Sequence, residues 1–236
     1  MTNINKAIVF DIWSDHAHFR RGYTTTSPLT YPFPTRTALA GIVAAILGLE
    51  IDNHYDLFRK DNSAFALQII NPIKKIKITE NLIDTKIGFY LWDCKGQRTQ
   101  IIFEYLKDPK YRVYLWLKEK FEEFSQLIKE HKSIYTPYLG ISKCVMNFNY
   151  IGIFDVEHKS TNGHPVEISS IVKDSKGIEY DFEEGKKYGR VKMPGFMDPN
   201  RKIIEFLNII YEENGKTIKI RKGEYYKVMG YNVIFF

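Results

Sequence analysis

The sequence predicts an α+β protein, and three observations carry that expectation. Runs rich in Ile, Val, Tyr and Phe recur along the chain, with sixteen Tyr and sixteen Phe among 236 residues, which favours strands. Two stretches within the first 150 residues show helical spacing instead. Beyond residue 150, turn signals follow one another closely, as they do in a mainly β region. At this length, with 44% hydrophobic residues, the chain can bury a real core as one or two domains.

Lys6 to Trp13 is the first strand. AIVFDI is branched and aromatic, holds no breaker, and is apolar at both parities, so the strand should lie centrally and be covered on both faces. The continuation, HAHFRRGY, turns basic; His16, His18 and Arg20 share one parity, and Ala17, Phe19 and Arg21 the other. Thr35 to Gly48 is the first helix. Pro34 restricts Phe33 to extended backbone, Thr35 is an N-cap, and Leu39, Ile42, Val43, Ile46 and Leu47 form one apolar face. Ala38, Gly41, Ala45 and Gly48 form a second stripe of small residues, suited first to close packing on a sheet and second to close approach of a ligand backbone.

A second strand region runs from Phe65 to Ile78, broken by Pro72, and a polar excursion follows with a hairpin turn expected at Lys95-Gly96. Asp108-Pro109 is a turn and Tyr111 to Leu117 a strand. Leu117, Phe121, Phe124, Ile128 and His131 recur at spacings of four and three, which predicts a second helix with His131 on its packed face. YTPYLGISKCVMNFNYIGIF then gives a turn and a strand. Strand, helix, strand, strand, helix, strand is the βαββαβ order of ferredoxin-like (RRM-like) domains, here residues 1–150 with an insertion between the second and third strands at about 80–106. Residues 151–236 should form a mainly β subdomain, with turns at Asn162-Gly163, Ser175-Lys176-Gly177 and Lys222-Gly223, interrupted by a short helix over RKIIEFLNIIYEE.

The net charge of +6 suits a polyanion or an acidic surface, although solvated lysines produce the same total. Cys94 and Cys144 form no CxxC pair and read as reduced, buried thiols of a cytoplasmic protein. MTNINKAIVFDIW enters a strand with no charged n-region or cleavage site. Ala38 to Leu49 is the longest apolar run; it is too short to span a bilayer, so no membrane contact is expected. P-loop, GxGxxG and GxSxG patterns are missing, as is the RRM signature.

From His16 to Leu49 there is no Asp or Glu. Arg20, Arg21 and Arg36 offer charge to phosphates, and Phe19, Tyr23, Tyr31 and Phe33 offer rings to unpaired bases. Thr35, Arg36 and Thr37 stand at a helix N-terminus, where free amides favour an anion. The alternative is a structural loop with solvated arginines and aromatics that plug the core. A second basic tract, Lys186 to Lys202, holds six Lys or Arg against one Asp; Lys186, Lys187, Arg190 and Lys192 would lie in a loop touching RNA, DNA or a neighbouring subunit, or simply solvent. His16 and His18 would share one face of an extended strand. No Cys, Asp or Glu cluster joins them, so neither a metal nor a cofactor is expected. With Tyr23 they offer the acid and base that metal-independent RNA cleavage requires.

The stretch FDIWSDHAHFRRGYTTTSPLTYPFPTRTALAGIVAAILGL resembles the N-terminus of the CRISPR-associated Cas-five family. The resemblance rests on Phe19-Arg20, the Tyr31 to Thr35 turn, Leu39-x-Gly41 and Ile46 to Gly48, with further matches in RTQIIFEYLKDPKYRVYL, PYLGISKC and PGFMDPNRKIIEF. It is nearest to the type I-B branch. It implies a ferredoxin-like, repeat-associated RNA-binding fold in a ribonucleoprotein complex, the Cascade surveillance complex of antiviral defence. There the subunit would hold the crRNA 5′ handle, cap the backbone subunits and contact the large subunit, with target DNA as an open further partner. The insertion would be the family's thumb, carrying Arg98; Arg98 and Lys143 would extend an RNA surface made of Phe19, Arg20, Arg21, Tyr23, Thr35, Arg36 and Thr37. Such a subunit is non-catalytic. The runner-up, implied by the family's cleaving branch, is a precursor-processing endoribonuclease using His16, His18 or Tyr23.

Overall fold

Strand β1 (Lys6–Trp13) is the spine of the computed structural model, which describes residues 4–24, 27–51, 53–83 and 98–236. Its two parities serve different layers, as the apolar residues at both parities predict. Ile8, Phe10 and Ile12 point into the main core, while Ala7 and Val9 join a second cluster on the opposite face of the sheet. After β1 come β2 (His16–Ala17), α1 (Arg36–Leu47), β3 (Ser63–Ile69), β4 (Lys75–Ile83), β5 (Arg98–Lys107), β6 (Lys110–Leu117), α2 (Phe121–Lys129) and β7 (Asn147–Ser160). The remainder is β8 (Val166–Ile168), β9 (Val172–Lys173), β10 (Glu179–Tyr180), β11 (Tyr188–Met197), β12 (Ile203–Glu212), β13 (Ile218–Lys222), β14 (Glu224–Val228) and β15 (Tyr231–Val233).

The chain is a mixed α and β protein with mostly antiparallel sheets. The largest has the order β15-β14-β7-β1-β6-β3, each neighbouring pair antiparallel. The segment carrying α1 leads from β1 to β3, and α2 connects β6 to β7. Both helices lie over the same face: Leu39, Ile42, Val43, Ile46 and Leu47 of α1 join Phe124 and Ile128 of α2 in the main core. Phe10 and Phe124 meet edge to face at 5.5 Å. Residue 150 falls inside β7, and C-terminal strands β14 and β15 extend the same sheet as β1. A smaller cluster around Ile168, Ile218 and Ile220 holds β8, β10 and β13 together.

Helix α1 is bounded as its sequence requires. Thr35 is extended (φ −66°, ψ 162°) and its side chain accepts from the Ala38 amide; Gly48 ends the helix in the left-handed region at φ 71°. A Cβ at Gly48 would meet the Ile134 side chain at 2.6 Å, so close packing adds to the conformational demand.

The small stripe is placed differently from the sheet packing expected for it. Ala38, Gly41 and Ala45 of α1 are half-buried, as is the capping Gly48, and the first three border a small cavity with Pro137, Tyr138 and Gly140. The segment after α2 lies along the end of this stripe, with the Ile134 and Tyr135 amides donating to the carbonyls of Ile46 and Ala45. The second helix is also shorter than the spacing predicts. Leu117 closes β6, and His131 lies beyond the helix at φ 53°, stacked 4.5 Å from Phe148.

The largest correction concerns residues 186–212. The expected loop contains strand β11, and the expected helix over RKIIEFLNIIYEE contains strand β12; the two pair antiparallel from Tyr188↔Glu212 to Met197↔Ile203. The apolar doublets of Ile203 to Ile210 imitate a helical period because β12 lies between two cores. Leu207 and Ile209 enter the main core and Ile210 the smaller one. The expected Lys95-Gly96 turn and Cys94 lie outside the described residues, while Cys144 is a buried free thiol. Among the described residues no helix is long and apolar enough to cross a membrane.

Candidate nucleic-acid interface

The acid-free tract leaves β2 and turns back on itself. The Arg21 amide bonds to the Leu29 carbonyl, the Tyr31 amide to the Phe19 carbonyl, and Arg20 and Thr30 form an isolated bridge. This return, the start of α1, the residues around Phe58 and the β11–β12 hairpin enclose an open cleft of about 710 Å³. Its aromatic wall includes Phe19, Tyr23, Tyr31, Phe58, Phe196 and Phe206. None of the described residues lining it is an Asp or Glu.

Of the expected residues, Phe19, Arg20, Tyr23, Tyr31, Thr35, Arg36 and Thr37 line the cleft, whereas Arg21 and Phe33 lie beside it. Arg20 is exposed at the rim, and its guanidinium donates to the Thr24 carbonyl at 3.2 Å. Arg21 is half-buried. Its Nε donates to the Thr30 carbonyl at 3.1 Å, its Nη1 donates to the Tyr23 hydroxyl at 2.7 Å, and it lies 5.4 Å over the Tyr31 ring. Tyr23 is 69% exposed. Phe19 is a core residue whose edge reaches the cleft, and Phe33 is wholly buried against Tyr211. Thr35 caps α1 and hydrogen-bonds to Thr37, which spends part of the polar capacity expected for an anion.

Arg36 is not a surface group. Only 1% of it is exposed, and its donors go to the main-chain oxygens of Phe58, Ser63 and Phe236 and to the Ser63 hydroxyl. The Phe196 ring covers it at 3.9 Å. Burial pushes its pKa down to about 9, which still leaves it charged at neutral pH. The direct phosphate contact expected of Arg36 is therefore replaced by a structural one. It ties the start of α1 to β3, to the final residue of the sequence and to the hairpin wall.

Other expected residues lie elsewhere. Arg98 is exposed and pairs with Ile83 at the outer end of the β4–β5 hairpin, while Leu106 pairs with Lys75 at its base. Eight residues of strand put those ends roughly 26 Å apart. Lys143 is ion-paired to Glu80, whose other oxygen accepts from the Tyr105 hydroxyl. Lys186 is held by Glu183 and the Thr217 carbonyl, and Arg190 pairs with Asp174 at 2.7 Å. Lys187 and Lys192 are exposed.

His16 and His18 do share a face, but it is packed against β5. Their rings lie 6.0 and 5.5 Å from Tyr105. His18 is 1% exposed, and its Nδ1 donates to the Glu104 carbonyl at 2.7 Å. Nε2 has no partner among the described residues. The same Glu104 accepts from the Thr30 amide and from Lys75, so the tract that lacks acid in sequence receives one from β5. Gly140 closes the arrangement at φ 94°: the His18 amide bonds to the Leu139 carbonyl, and a Cβ on Gly140 would lie 2.0 Å from the His18 carbonyl oxygen.

Burial holds the His18 imidazole below its ordinary pKa, aided by Arg20 and opposed by the Glu104 contact and by the charges of Glu104 and Glu80. The unfolded chain therefore takes up a proton before the folded one does. Stability contributed by neutral His18 is complete above pH 6.5 and is lost as pH falls through the folded value. Thermal unfolding between pH 7.5 and 5 should show a falling Tm, with a shallower fall in His18→Phe. Equal slopes would remove His18 from the linkage.

A family model for the CRISPR-associated protein Cas5 matches residues 7–197. The chain belongs to the Cas5 family. A curated relative, the CRISPR pre-crRNA endoribonuclease Cas5d of Thermus thermophilus, is 25% identical over 145 residues, which are 55% of this chain and 57% of that protein. The match thus spans little more than half of the relative's length. Among solved structures, a CRISPR protein from Archaeoglobus fulgidus aligns with TM-score 0.56 at 16% identity over 97% of both chains. A chain of a CRISPR RNA-guided surveillance complex aligns with TM-score 0.56 at 13% identity, over 90% of this chain and 91% of that one. These two likenesses show a shared fold. The family match includes the acid-free tract, α1 and β11, whereas Ile203 and Phe206 of the β12 wall lie beyond it. Tyr188 and Phe196 of β11 are visible in the second basic tract, whereas sequence reasoning does not single out Phe206 of β12. The available signal for Phe206 is the strand propensity of the Ile-rich run around it.

Proposed function

We propose that this Cas5 protein is a non-catalytic subunit of a type I CRISPR surveillance complex and holds the 5′ handle of the crRNA in the cleft. The observation that carries this is the chemistry of the cleft wall: exposed Arg20 and Tyr23 at the rim, aromatic rings within, and no carboxylate among the described lining residues. Arginine supplies phosphate charge, and exposed rings accept unpaired bases whatever their sequence. The order β7-β1-β6-β3, with helices on one face, supports a ferredoxin-like βαββαβ domain. The β4–β5 hairpin, inserted between β3 and β6, suits a thumb reaching a backbone subunit through its Arg98 end. Assignment to the type I-B branch, a cytoplasmic location, a mainly β C-terminal subdomain and contacts with the large subunit complete the proposal. Exposed Lys187 and Lys192 are candidates for target DNA or a neighbouring chain.

The second possibility, precursor cleavage, is favoured by the name of the Thermus relative. Of its candidate residues, His18 is poorly placed for that chemistry. A general base must reach the 2′-hydroxyl, and His18 is enclosed with Nδ1 already engaged. Incubating the pure protein with its cognate repeat RNA in EDTA separates the two. The RNA should be bound and remain intact; a discrete cut that disappears in His16→Ala would establish the nuclease instead.

A further inference from the structure

We infer that the outward face of the β11–β12 hairpin is a stacking platform for single-stranded RNA, with Phe206 as its ring and Lys192 as its cation. It rests on the RNA-binding proposal above and extends the path beyond the cleft. Phe206 lines the cleft yet is 46% exposed, which places it at the lip. Lys192 Nζ lies 4.9 Å from the centre of its ring. Alternation along β12 puts Ile204, Phe206 and Asn208 on one face, all three exposed, and Asn208 is the direct register partner of Lys192.

The hairpin's register explains why one of its two phenylalanines stays outside. The pairing shifts between Pro194 and Phe196, and this irregularity accompanies the placement of the Phe196 ring over Arg36. Pro194 pairs with Phe206, whose ring stays at the surface. Glu205, the carboxylate nearest in sequence, lies at the opposite parity and reaches Lys173 at 3.7 Å. The outward face therefore presents an aromatic ring, an ammonium, an amide and an exposed Ile, with no acid among positions 204, 206 and 208. That combination fits a base on the ring, a phosphate on the ammonium and a base edge at the amide. Unpaired RNA has such base faces free, whereas a duplex hides them. An acidic protein partner would use the lysine but has little use for a flat ring beside a cleft whose described lining residues include no carboxylate.

The test uses the full chain and cognate repeat RNA carrying 2-aminopurine at successive positions. One position should be quenched by the protein, and the quench should vanish in Phe206→Ala, with affinity reduced about five- to a hundred-fold. Phe206→Trp should restore both, and Lys192→Ala should weaken binding and lower its salt dependence. Since Phe206 is half exposed, its variants should melt with the parent protein. If Phe206→Ala binds as tightly as the parent while loss of Arg20 and Arg21 abolishes binding, the platform is overturned and the cleft proposal stands. If neither change affects binding, both fail. Protection of Phe206 by another protein subunit, with no effect of the variant on RNA, also overturns the platform.

Discussion

Replacing Arg36 with alanine should lower the stability of the protein by about 3–5 kcal/mol. Urea titration should show this as an earlier midpoint with an unchanged slope. The magnitude follows from two losses that coincide. Truncation leaves a cavity beneath Phe196, and it strips a charged donor from main-chain oxygens of Phe58, Ser63 and Phe236. Those oxygens belong to two regions, residues 58–63 and Phe236, each distant in sequence from Arg36, so the guanidinium works as a junction rather than as one bond. Arg36→Lys should recover only part of the loss, because a single ammonium cannot reproduce a planar fork of donors. RNA affinity, measured on the folded fraction, should change by no more than about two-fold, because the group does not reach solvent. A stability within 1 kcal/mol of the parent would show that the junction carries no load, whereas a large affinity loss without unfolding would return Arg36 to the phosphate path.

Arg36 also marks the boundary of what this sequence reveals. Its charge and its place after Thr35 are local facts, and they point to an anion at a helix N-terminus. Its burial depends on partners 22, 27 and 200 residues away, which no local pattern announces. Features that depend on nearest neighbours were legible. Thr35 and Gly48 bound α1 as expected, and the doubly apolar AIVFDI run is the covered centre of the sheet. The acid-free tract does line a cleft, but its acid arrives from β5, since Glu104 meets the Thr30 amide. The opposite cleft wall was illegible for a related reason. A strand lying between two cores carries apolar residues at both parities, and over ten residues Ile203 to Glu212 can satisfy a helical period as readily as an extended one. The β-branched content would have been the better guide there than the spacing.

Arg20 is the clean counterpart to Arg36, and the second large effect is expected from it. Arg20→Ala combined with Arg21→Ala should weaken binding of the cognate repeat RNA about ten- to a hundred-fold at low salt. Each phosphate contact to a single strand contributes about 0.7 to the slope of log affinity against log salt, so losing two should flatten it by about 1.4. The two arginines are not equivalent. Arg20 is exposed and, among the described residues, bonds the Thr24 carbonyl, so its single replacement should remove about 0.7 of slope and leave the fold intact. Arg21 bonds the Thr30 carbonyl and the Tyr23 hydroxyl, so its loss also releases Tyr23 at the rim. Arg21→Lys separates those contributions: it keeps the charge for a phosphate while giving up the forked contact that holds Tyr23. Binding restored by lysine would assign Arg21 to charge, and binding still lost would assign it to placement of Tyr23. A slope unchanged by Arg20→Ala would mean that the rim of the cleft meets no phosphate, and the RNA path would have to lie elsewhere on the molecule.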